Sequence, residues 1–233
     1  MMRHMTTIIS LGGSIVAPDT VDVPFIKAFV ALVTTYVEQK MDRRVILIVG
    51  GGSPARVYQS AFRDVVGPDA DADAQDWIGI MATRLNAQLI KACFGALCDD
   101  AVVTDPSSES IKFGGKVLVA AGWKPGFSTD FDAVMLAERF SGRTVINLSN
   151  IEKVYTDDPR KNPMAKPLDT ITWEDFRAMV GDTWEPGKNV PFDPIASKKA
   201  SELQLKVIAA AGKDLSNLQN ILNDKQFIGT VIG

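Results

Sequence analysis

The amino-acid sequence predicts an α/β fold, a three-layer α/β/α sandwich with a mainly parallel central sheet. Short apolar runs that end near glycine alternate along the chain with longer amphipathic runs. A strand followed by a helix, repeated several times, implies right-handed crossovers and helices on both faces of the sheet. The 233 residues, 46% of them hydrophobic and 23% charged, suffice for one large domain or two small lobes.

The predicted strands are the short apolar runs, which are typical of parallel strands buried on both faces. The terminal run FIGTVIG is compatible with one further strand. The other predicted strands occupy residues 6–11, 44–50, 116–122, 144–149 and 205–212.

The predicted helices are the amphipathic runs, in which apolar residues recur at helical spacing. Residues 100–113 and 183–192 are rich in loop-forming residues. The predicted helices occupy residues 21–40, 53–66, 75–97, 130–140, 193–204 and 215–222.

The chain is expected to form a single domain over residues 1–233, without a clear linker. A weak shift in composition near residues 142–150 is the best place to divide it into two approximate lobes, 1–142 and 143–233. Internal repeats and low-complexity tracts are not evident.

Composition and charge exclude several classes of protein. With a net charge of −3, the chain lacks the excess of basic residues that is typical of a nucleic-acid-binding protein. The two cysteines, Cys93 and Cys98, are expected to be reduced thiols, and the single histidine, His4, is not expected to be catalytic. Ser–His and Cys–His chemistry is therefore excluded. We see no run of membrane-span length and no signal-peptide core, so a cytoplasmic location is expected.

Two glycine clusters follow strands, SLGGS at residues 10–14 and VGGGS at 49–53. Glycine lets the backbone approach a ligand closely, and a following helix adds its positive end, so both clusters suit phosphate. The alternative is that the glycines only make tight turns. Two clusters at the carboxyl ends of strands favour ligand binding, although neither matches a Walker A or a GxGxxG sequence.

A third polar cluster, GWKPGFSTD, occupies residues 122–130 after another predicted strand. It offers a cation at Lys124 and hydroxyl groups at Ser128 and Thr129. Asp130 is suited to cap the helix that follows, a role that leaves the lysine and the hydroxyls unexplained. A small anionic ligand would account for all of these groups.

Two more segments carry candidate ligand contacts. The Asp- and Pro-rich stretch at residues 149–163 reads as a hairpin, in which Tyr155 could cover a purine and Asp158 could meet a ribose or a base. Asp193, in FDP, precedes a helix whose next turn carries two lysines. The simpler interpretations are a turn, an N-cap and surface charges.

Taken in order, the motifs GGS, GGGxxAR, DxxGxxATRLNA, GxxPGxxTD, NxxxVYxxDPR, DP and GTVI resemble those of the amino-acid-kinase superfamily. The likeness covers nearly the whole chain and is strongest to the archaeal-type uridylate (UMP) kinases. It implies a carbamate-kinase-like sandwich around a mainly parallel eight-stranded sheet, assembled as a homohexamer. It also implies transfer of the γ-phosphoryl group of MgATP to UMP, giving UDP and ADP, with Mg²⁺ bound through the ATP phosphates and not directly by the protein.

The resemblance implies an ATP site in the C-terminal lobe and an acceptor site in the N-terminal lobe. The residues that it matches to contacts with ATP are Gly12, Gly13, Ser14, Gly52, Arg56, Ser149, Asn150, Tyr155 and Asp158. Those that it matches to contacts with UMP are Gly51, Asp76, Trp123, Lys124, Pro125, Gly126, Phe127, Ser128 and Thr129. Lys124, Asp130 and Asp193 are the expected catalytic residues.

The chain departs from the family pattern around the phosphates. Ser10 stands where many members place lysine, and Ser53 replaces the lysine of GGGK. Lys124 replaces a histidine, while Glu152 and Lys153 replace the Asp and Gly of NVDGVY. Lys124 is able to compensate for the cation lost at Ser53. Two alternatives stay open: a superfamily kinase with a different acceptor, and a catalytically weak protein that binds or stores nucleotides or oxyanions.

Overall fold

The computed structural model describes residues 5–181, 183 and 190–233. The expectation for His4 and part of the expected loop at residues 183–192 lie outside the described residues. The strands are β1 (Met5–Leu11), β2 (Arg43–Val49), β3 (Val117–Ala120), β4 (Thr144–Ser149), β5 (Val154–Tyr155), β6 (Pro167–Leu168), β7 (Thr170–Ile171), β8 (Lys206–Ala211) and β9 (Thr230–Ile232).

Helices follow most of these strands, as the alternating pattern predicts. Among the described residues, two α-helical segments were not predicted, the single turn α1 and the eight-residue α6, and neither was the 3-10 turn Gly67–Asp69. The helices are α1 (Gly13–Val16), α2 (Val23–Glu38), α3 (Gly52–Val66), α4 (Ala72–Phe94), α5 (Thr129–Arg139), α6 (Trp173–Val180), α7 (Pro194–Glu202) and α8 (Leu215–Leu222).

The main sheet has the strand order β3-β2-β1-β4-β8-β9-β7. All neighbours are parallel except β8 and β9, which run antiparallel. The predicted α/β fold with a mainly parallel sheet is confirmed. In the described part of the chain the main sheet has seven strands and not the eight expected from the family, and β5 and β6 form a separate two-stranded sheet.

The core forms two layers, one on each face of the sheet. Successive side chains of a strand point to opposite faces, so Ile9 joins the layer under α2, α4 and α8, while Ile8 joins the layer under α5, α6 and α7. The layers are filled by fully buried aromatic side chains such as Phe29 and Phe176. Each layer contains residues from both sides of residue 142, so the division into lobes stays a prediction.

Side-chain caps fix where several helices begin. Asp193 accepts a hydrogen bond from the N–H of Ala196 at 2.7 Å, which confirms it as the N-cap of α7. The N-cap of α5 is Ser128, which accepts from the N–H of Phe131, and not Asp130 as expected. Helix α5 starts one residue earlier than predicted, so Asp130 lies inside its first turn.

Two smaller predictions can be compared with the structure. Cys93 is exposed and Cys98 is buried, and neither forms a disulfide, as expected. Among the described residues, no helix is both long enough and apolar enough to cross a membrane.

Candidate active site

The two glycine clusters pack against each other, main chain against main chain. Strands β1 and β2 are parallel neighbours, so they end at the same edge of the sheet, where the N–H of Gly50 donates to the carbonyl of Leu11 at 3.0 Å. A Cβ atom on Gly13 would lie 2.0 Å from the nitrogen of Gly52, which has a φ of +65°. Close approach therefore requires these glycines, whether or not a ligand lies above them.

Asn86 of α4 holds the second glycine cluster in place. Its amide nitrogen donates to the carbonyl of Gly50 at 2.9 Å and to that of Gly51 at 3.0 Å. The Asn86 side chain is buried, so its amide group is satisfied by these two carbonyl groups and not by solvent. The helix thereby fixes the direction in which residues 50–52 present their peptide groups.

The structure brings Ser14 and Arg56 together at the outer edge of the glycine clusters. One terminal nitrogen of Arg56 donates to Ser14 Oγ at 3.1 Å, and the other donates to the carbonyl of Pro18 at 3.1 Å. Both residues were matched to ATP contacts from the sequence. A guanidinium group near the N-terminus of a helix favours an anion.

The loop at residues 122–128, called the acceptor loop below, is anchored at its tip by Asp76. The carboxylate of Asp76 accepts from the N–H of Gly126 at 3.1 Å, and Gly126 has a φ of +82° that favours glycine. Two of the predicted acceptor-binding groups, Asp76 on α4 and the loop after β3, therefore meet in space.

Lys124 lies over the aromatic rings of its own loop. Its Nζ is 3.9 Å from the ring centroid of Trp123 and 5.2 Å from that of Phe127. Phe127 in turn packs on Phe131 of α5, with the ring centroids 4.7 Å apart. These cation–π contacts hold the exposed ammonium group at the surface of the acceptor loop.

A cluster of carboxyl and hydroxyl groups lies below the acceptor loop, where β1, α5 and α7 meet. Ser10 Oγ donates to Asp130 Oδ1 at 2.9 Å, and the N–H of Asp193 donates to Asp130 Oδ2 at 3.3 Å. Burial raises the pKa of Asp130 to about 6, against the opposing effect of the Ser10 hydrogen bond. Burial also raises the pKa of Asp193, while its hydrogen bond with Ser128 acts in the other direction.

In the hairpin predicted to hold the ATP nucleoside, charged side chains form ion pairs with oppositely charged side chains nearby. Arg160 donates to the two carboxylate oxygens of Asp158 at 3.0 and 3.1 Å, and these hydrogen bonds lower the pKa of Asp158. Lys153 pairs with Asp169. Tyr155 lies in β5 opposite Pro167. Ser149 ends β4, with its hydroxyl accepting from the N–H of Ile151, and Asn150 beside it is exposed.

The sequence interpretation missed four residues that hold the predicted site in position. Thr83, Arg84 and Asn86 of α4 and Asp132 of α5 bond the two loops through their side chains. Thr83 and Asn86 are polar residues spaced by three on the buried face of a helix, which is a usable signal for buried hydrogen bonding. Within the described residues, no group of three or more His, Cys, Asp or Glu side chains is placed to hold a metal ion.

This architecture defines an α/β protein in which glycine-lined strand ends and an anchored loop meet at the carboxyl edge of a parallel sheet, the edge at which open α/β sheets bind ligands. The family model described as "Amino acid kinase family" matches residues 5–209. The chain belongs to the amino acid kinase family.

Several curated relatives span nearly the full chain. The uridylate kinase of Methanospirillum hungatei JF-1 is 34% identical over 229 residues, covering 97% of this chain and 94% of that protein. The uridylate kinase of Thermococcus onnurineus NA1 is 34% identical over 232 residues, covering 98% and 99%. The likeness therefore extends over the glycine clusters, the acceptor loop and the C-terminal strands together.

Solved structures show the same fold. The uridylate kinase from Archaeoglobus fulgidus superposes with a TM-score of 0.82 at 29% identity, over 98% of this chain and 100% of that one. The UMP kinase from Bacillus anthracis superposes with a TM-score of 0.78 at 17% identity, over 100% and 97%. At that lower identity the second likeness shows the fold alone.

Proposed function

We propose that this chain is a UMP kinase that transfers the γ-phosphoryl group of MgATP to UMP, giving UDP and ADP. The observation that carries the proposal is the pairing of Asp76 with Gly126, which joins a carboxylate to the acceptor loop beside the packed glycine clusters. A carboxylate suits a ribose hydroxyl, and peptide N–H groups of glycine-containing segments suit a phosphate, so a nucleoside monophosphate needs both kinds of group near each other. Relatives that are 34% identical over nearly their full lengths are uridylate kinases.

In this proposal the two nucleotides meet above the glycine clusters. The phosphates of ATP lie along Gly12–Ser14 and Gly52 with Arg56 beside them, and its nucleoside lies toward Ser149, Asn150, Tyr155 and Asp158. UMP lies between Gly51, Asp76 and residues 123–129. The approximate lobes, 1–142 for the acceptor and 143–233 for ATP, then divide UMP from the ATP nucleoside, while the ATP phosphates lie on residues of the first lobe.

The proposed chemistry is direct in-line attack by a UMP phosphate oxygen on the γ-phosphorus of ATP. Such a transfer depends on positioning and on neutralising charge, and it needs no protein nucleophile. Peptide N–H groups of the glycine clusters and the ammonium group of Lys124 would stabilise the transferring group. Mg²⁺, bound through the ATP phosphates, would neutralise their charge.

The carboxyl groups of Asp130 and Asp193 would act by holding the elements around the site in position, and not by reacting themselves. Asp130 accepts from both Ser10 and the backbone of Asp193, so it ties the first strand to the start of α7. A carboxyl group with a pKa of about 6 is mainly ionised at neutral pH, and both of its oxygens are already occupied as hydrogen-bond acceptors. We therefore assign Asp130 the role of aligning Asp193 and the end of β1.

One observation favours a second candidate function. Ser10, where many family members have lysine, bonds to Asp130, while the one lysine of the acceptor loop stacks on Trp123. A phosphate site with fewer cations suits a different acceptor, or a protein that binds a nucleotide or oxyanion with little turnover.

A coupled assay separates these functions. Purified protein is supplied with MgATP and, in turn, UMP, CMP, dUMP, AMP, carbamate, glutamate and aspartate, and ADP release is recorded. Selective release with UMP supports the proposal, and release with another acceptor identifies a different kinase. ATP or UMP binding without ADP release on any acceptor supports the binding protein. Asp76→Asn is expected to raise the KM for UMP and to leave that for ATP unchanged.

We also propose a cytoplasmic homo-oligomer, a hexamer by family resemblance, that acts on ATP and UMP without nucleic acid or membrane partners. Helices α3 and α4 expose large apolar side chains: Tyr58 is 69% exposed, Val65 86% and Leu85 68%. An apolar surface of this kind is typical of subunit contacts. Light scattering of the purified protein measures the assembly, and a monomer would contradict this part.

A further inference from the structure

Every backbone polar group of Gly122 and Trp123, the first residues of the acceptor loop, is hydrogen-bonded by a side chain. The Gly122 N–H donates to Thr83 Oγ1 at 2.8 Å, and Arg84 donates to both carbonyls, most closely to that of Trp123 at 3.0 Å. The Trp123 N–H donates to Asp132 Oδ2 at 3.2 Å. Two helices therefore hold the base of the loop: side chains of α4 bond three of its four backbone polar groups, and a side chain of α5 bonds the fourth.

Asp132 is the unusual member of this set. Its side chain is fully buried, and within the described part of the chain its Oδ1 has no hydrogen-bond partner. A buried, unpaired carboxylate oxygen is costly when charged, so a neutral carboxylic acid is favoured at this position. A side chain that only filled this fully buried position would be apolar.

The surroundings of Asp132 set its charge. Burial raises its pKa to about 8, and the negative charges of Asp130, on the same helix, and Asp105, on the loop before β3, act in the same direction. The Trp123 N–H and the guanidinium of Arg84, on α4, oppose them. Asp132 is therefore mostly protonated at neutral pH and ionises as the pH rises through this value.

We propose that Asp132 is a positioning residue that fixes the first peptide group of the acceptor loop and thereby sets the affinity for the phosphate acceptor. Asp132 is not itself among the residues matched to a nucleotide, and it acts through the backbone of Trp123, whose indole ring lies under the ammonium group of Lys124. Ionisation strengthens the bond from the Trp123 N–H, but it places a second buried negative charge beside Asp130 and next to the loop proposed to bind an anionic acceptor, so it weakens acceptor binding by repulsion.

The inference rests on the proposed function for its kinetic part only, so the test has two independent readouts. The first is hydrogen exchange of the Trp123 amide, corrected for the intrinsic pH dependence of exchange, which needs no substrate. The second is the KM for UMP and for ATP between pH 6 and pH 9. The variants are Asp132→Ala, which removes the acceptor oxygen, and Asp132→Asn, which retains one and cannot ionise.

In Asp132→Ala we expect exchange of the Trp123 amide to rise about tenfold and the KM for UMP to rise about tenfold, the effect of one lost buried hydrogen bond. The KM for ATP stays within about twofold. Asp132→Asn keeps the amide protected and abolishes the rise in KM for UMP that the unaltered protein shows above pH 8.

Three results would overturn the inference: wild-type protection of Trp123 in Asp132→Ala, an Asp132→Asn variant no better protected than Asp132→Ala, or a UMP KM in the unaltered protein that does not change up to pH 9. If UMP proves not to be an acceptor, the kinetic arm fails for every variant alike, while the exchange arm still decides the role of Asp132. Thermal unfolding of both variants confirms that they are folded.

Discussion

Asn86→Ala is the substitution that best tests how the second glycine cluster is held. The change removes both hydrogen bonds from the Asn86 amide to the carbonyls of Gly50 and Gly51 and leaves those groups without their partner. Helix α4 itself should persist, because alanine favours a helix more than asparagine does. The perturbation is thus confined to the contact between α4 and the cluster.

The expected loss of stability follows from the geometry. Two hydrogen bonds of normal length, each worth about 0.5–1.5 kcal/mol net, together with a small cavity, amount to about 2–3 kcal/mol. Since the cluster no longer has a fixed direction, we also expect kcat/KM to fall by about tenfold or more. Urea unfolding measures the first quantity, and the coupled assay at a temperature where the variant is folded measures the second.

Asn217→Ala is a matched control at a distance from the glycine clusters. Asn217 is 5% exposed against 3% for Asn86, and it also makes two hydrogen bonds, both with the backbone of Ile228. The control should lose similar stability and keep its kinetic constants within about twofold. If Asn86→Ala loses stability while its kinetics match the control, the amide is only a structural support and the reasoning is refuted.

Three further substitutions have expected outcomes. Between pH 3.8, the usual pKa of an aspartate, and the raised pKa of about 8, Asp132 is ionised only in the unfolded wild type, so it lowers the free energy of unfolding by at most roughly 1.4 kcal/mol per pH unit. Asp132→Asn should lose this contribution to the slope, and equal slopes in the two proteins would contradict the expectation. Lys124→Ala should change stability by less than about 0.5 kcal/mol and lower kcat about tenfold or more, and unchanged kinetics in the folded variant would remove its catalytic role. Gly13→Ala, whose Cβ would meet the Gly52 nitrogen at 2.0 Å, should prevent correct folding, whereas Gly114→Ala, with 3.7 Å to its nearest neighbour, should yield a native circular dichroism spectrum; soluble, native Gly13→Ala would refute the packing argument.

The regular elements of the main sheet were predictable because each is long enough for its apolar pattern to appear in the sequence. Strand β4 and helix α8 have the predicted bounds. Strand β3 is shorter than predicted because the peptide groups after Ala120 bond elsewhere: Ala121 pairs with Val103, and Gly122 with the side chain of Thr83.

The elements that were missed are short and depend on distant partners. Helix α6 has eight residues, and its Trp173 donates from the indole nitrogen to the carbonyl of Leu205 at 2.8 Å. Strands β5, β6 and β7 have two residues each, too few for any alternation to be visible. Tertiary contacts decide such segments.

The candidate site, like the fold, was predictable where it depends on local sequence and not where it depends on tertiary contacts. Glycines after strands and a loop rich in polar groups are local patterns, so they were found. The groups that bring the parts together were not, because the bond from Asp132 to Trp123 and the bonds from Asn86 to the glycine carbonyls depend on how two elements lie in space. Whether the matched residues contact nucleotides stays a prediction for the assays above.

The packing of Gly13 against residues 50–52 has a mechanical consequence. With no side chain between the two main chains, there is no compressible spacer, so a displacement of one cluster must displace the other by nearly the same amount. The ends of β1 and β2 form one stiff platform. Any closing movement on substrate binding would then have to come from the parts around this platform and not from the glycine clusters themselves.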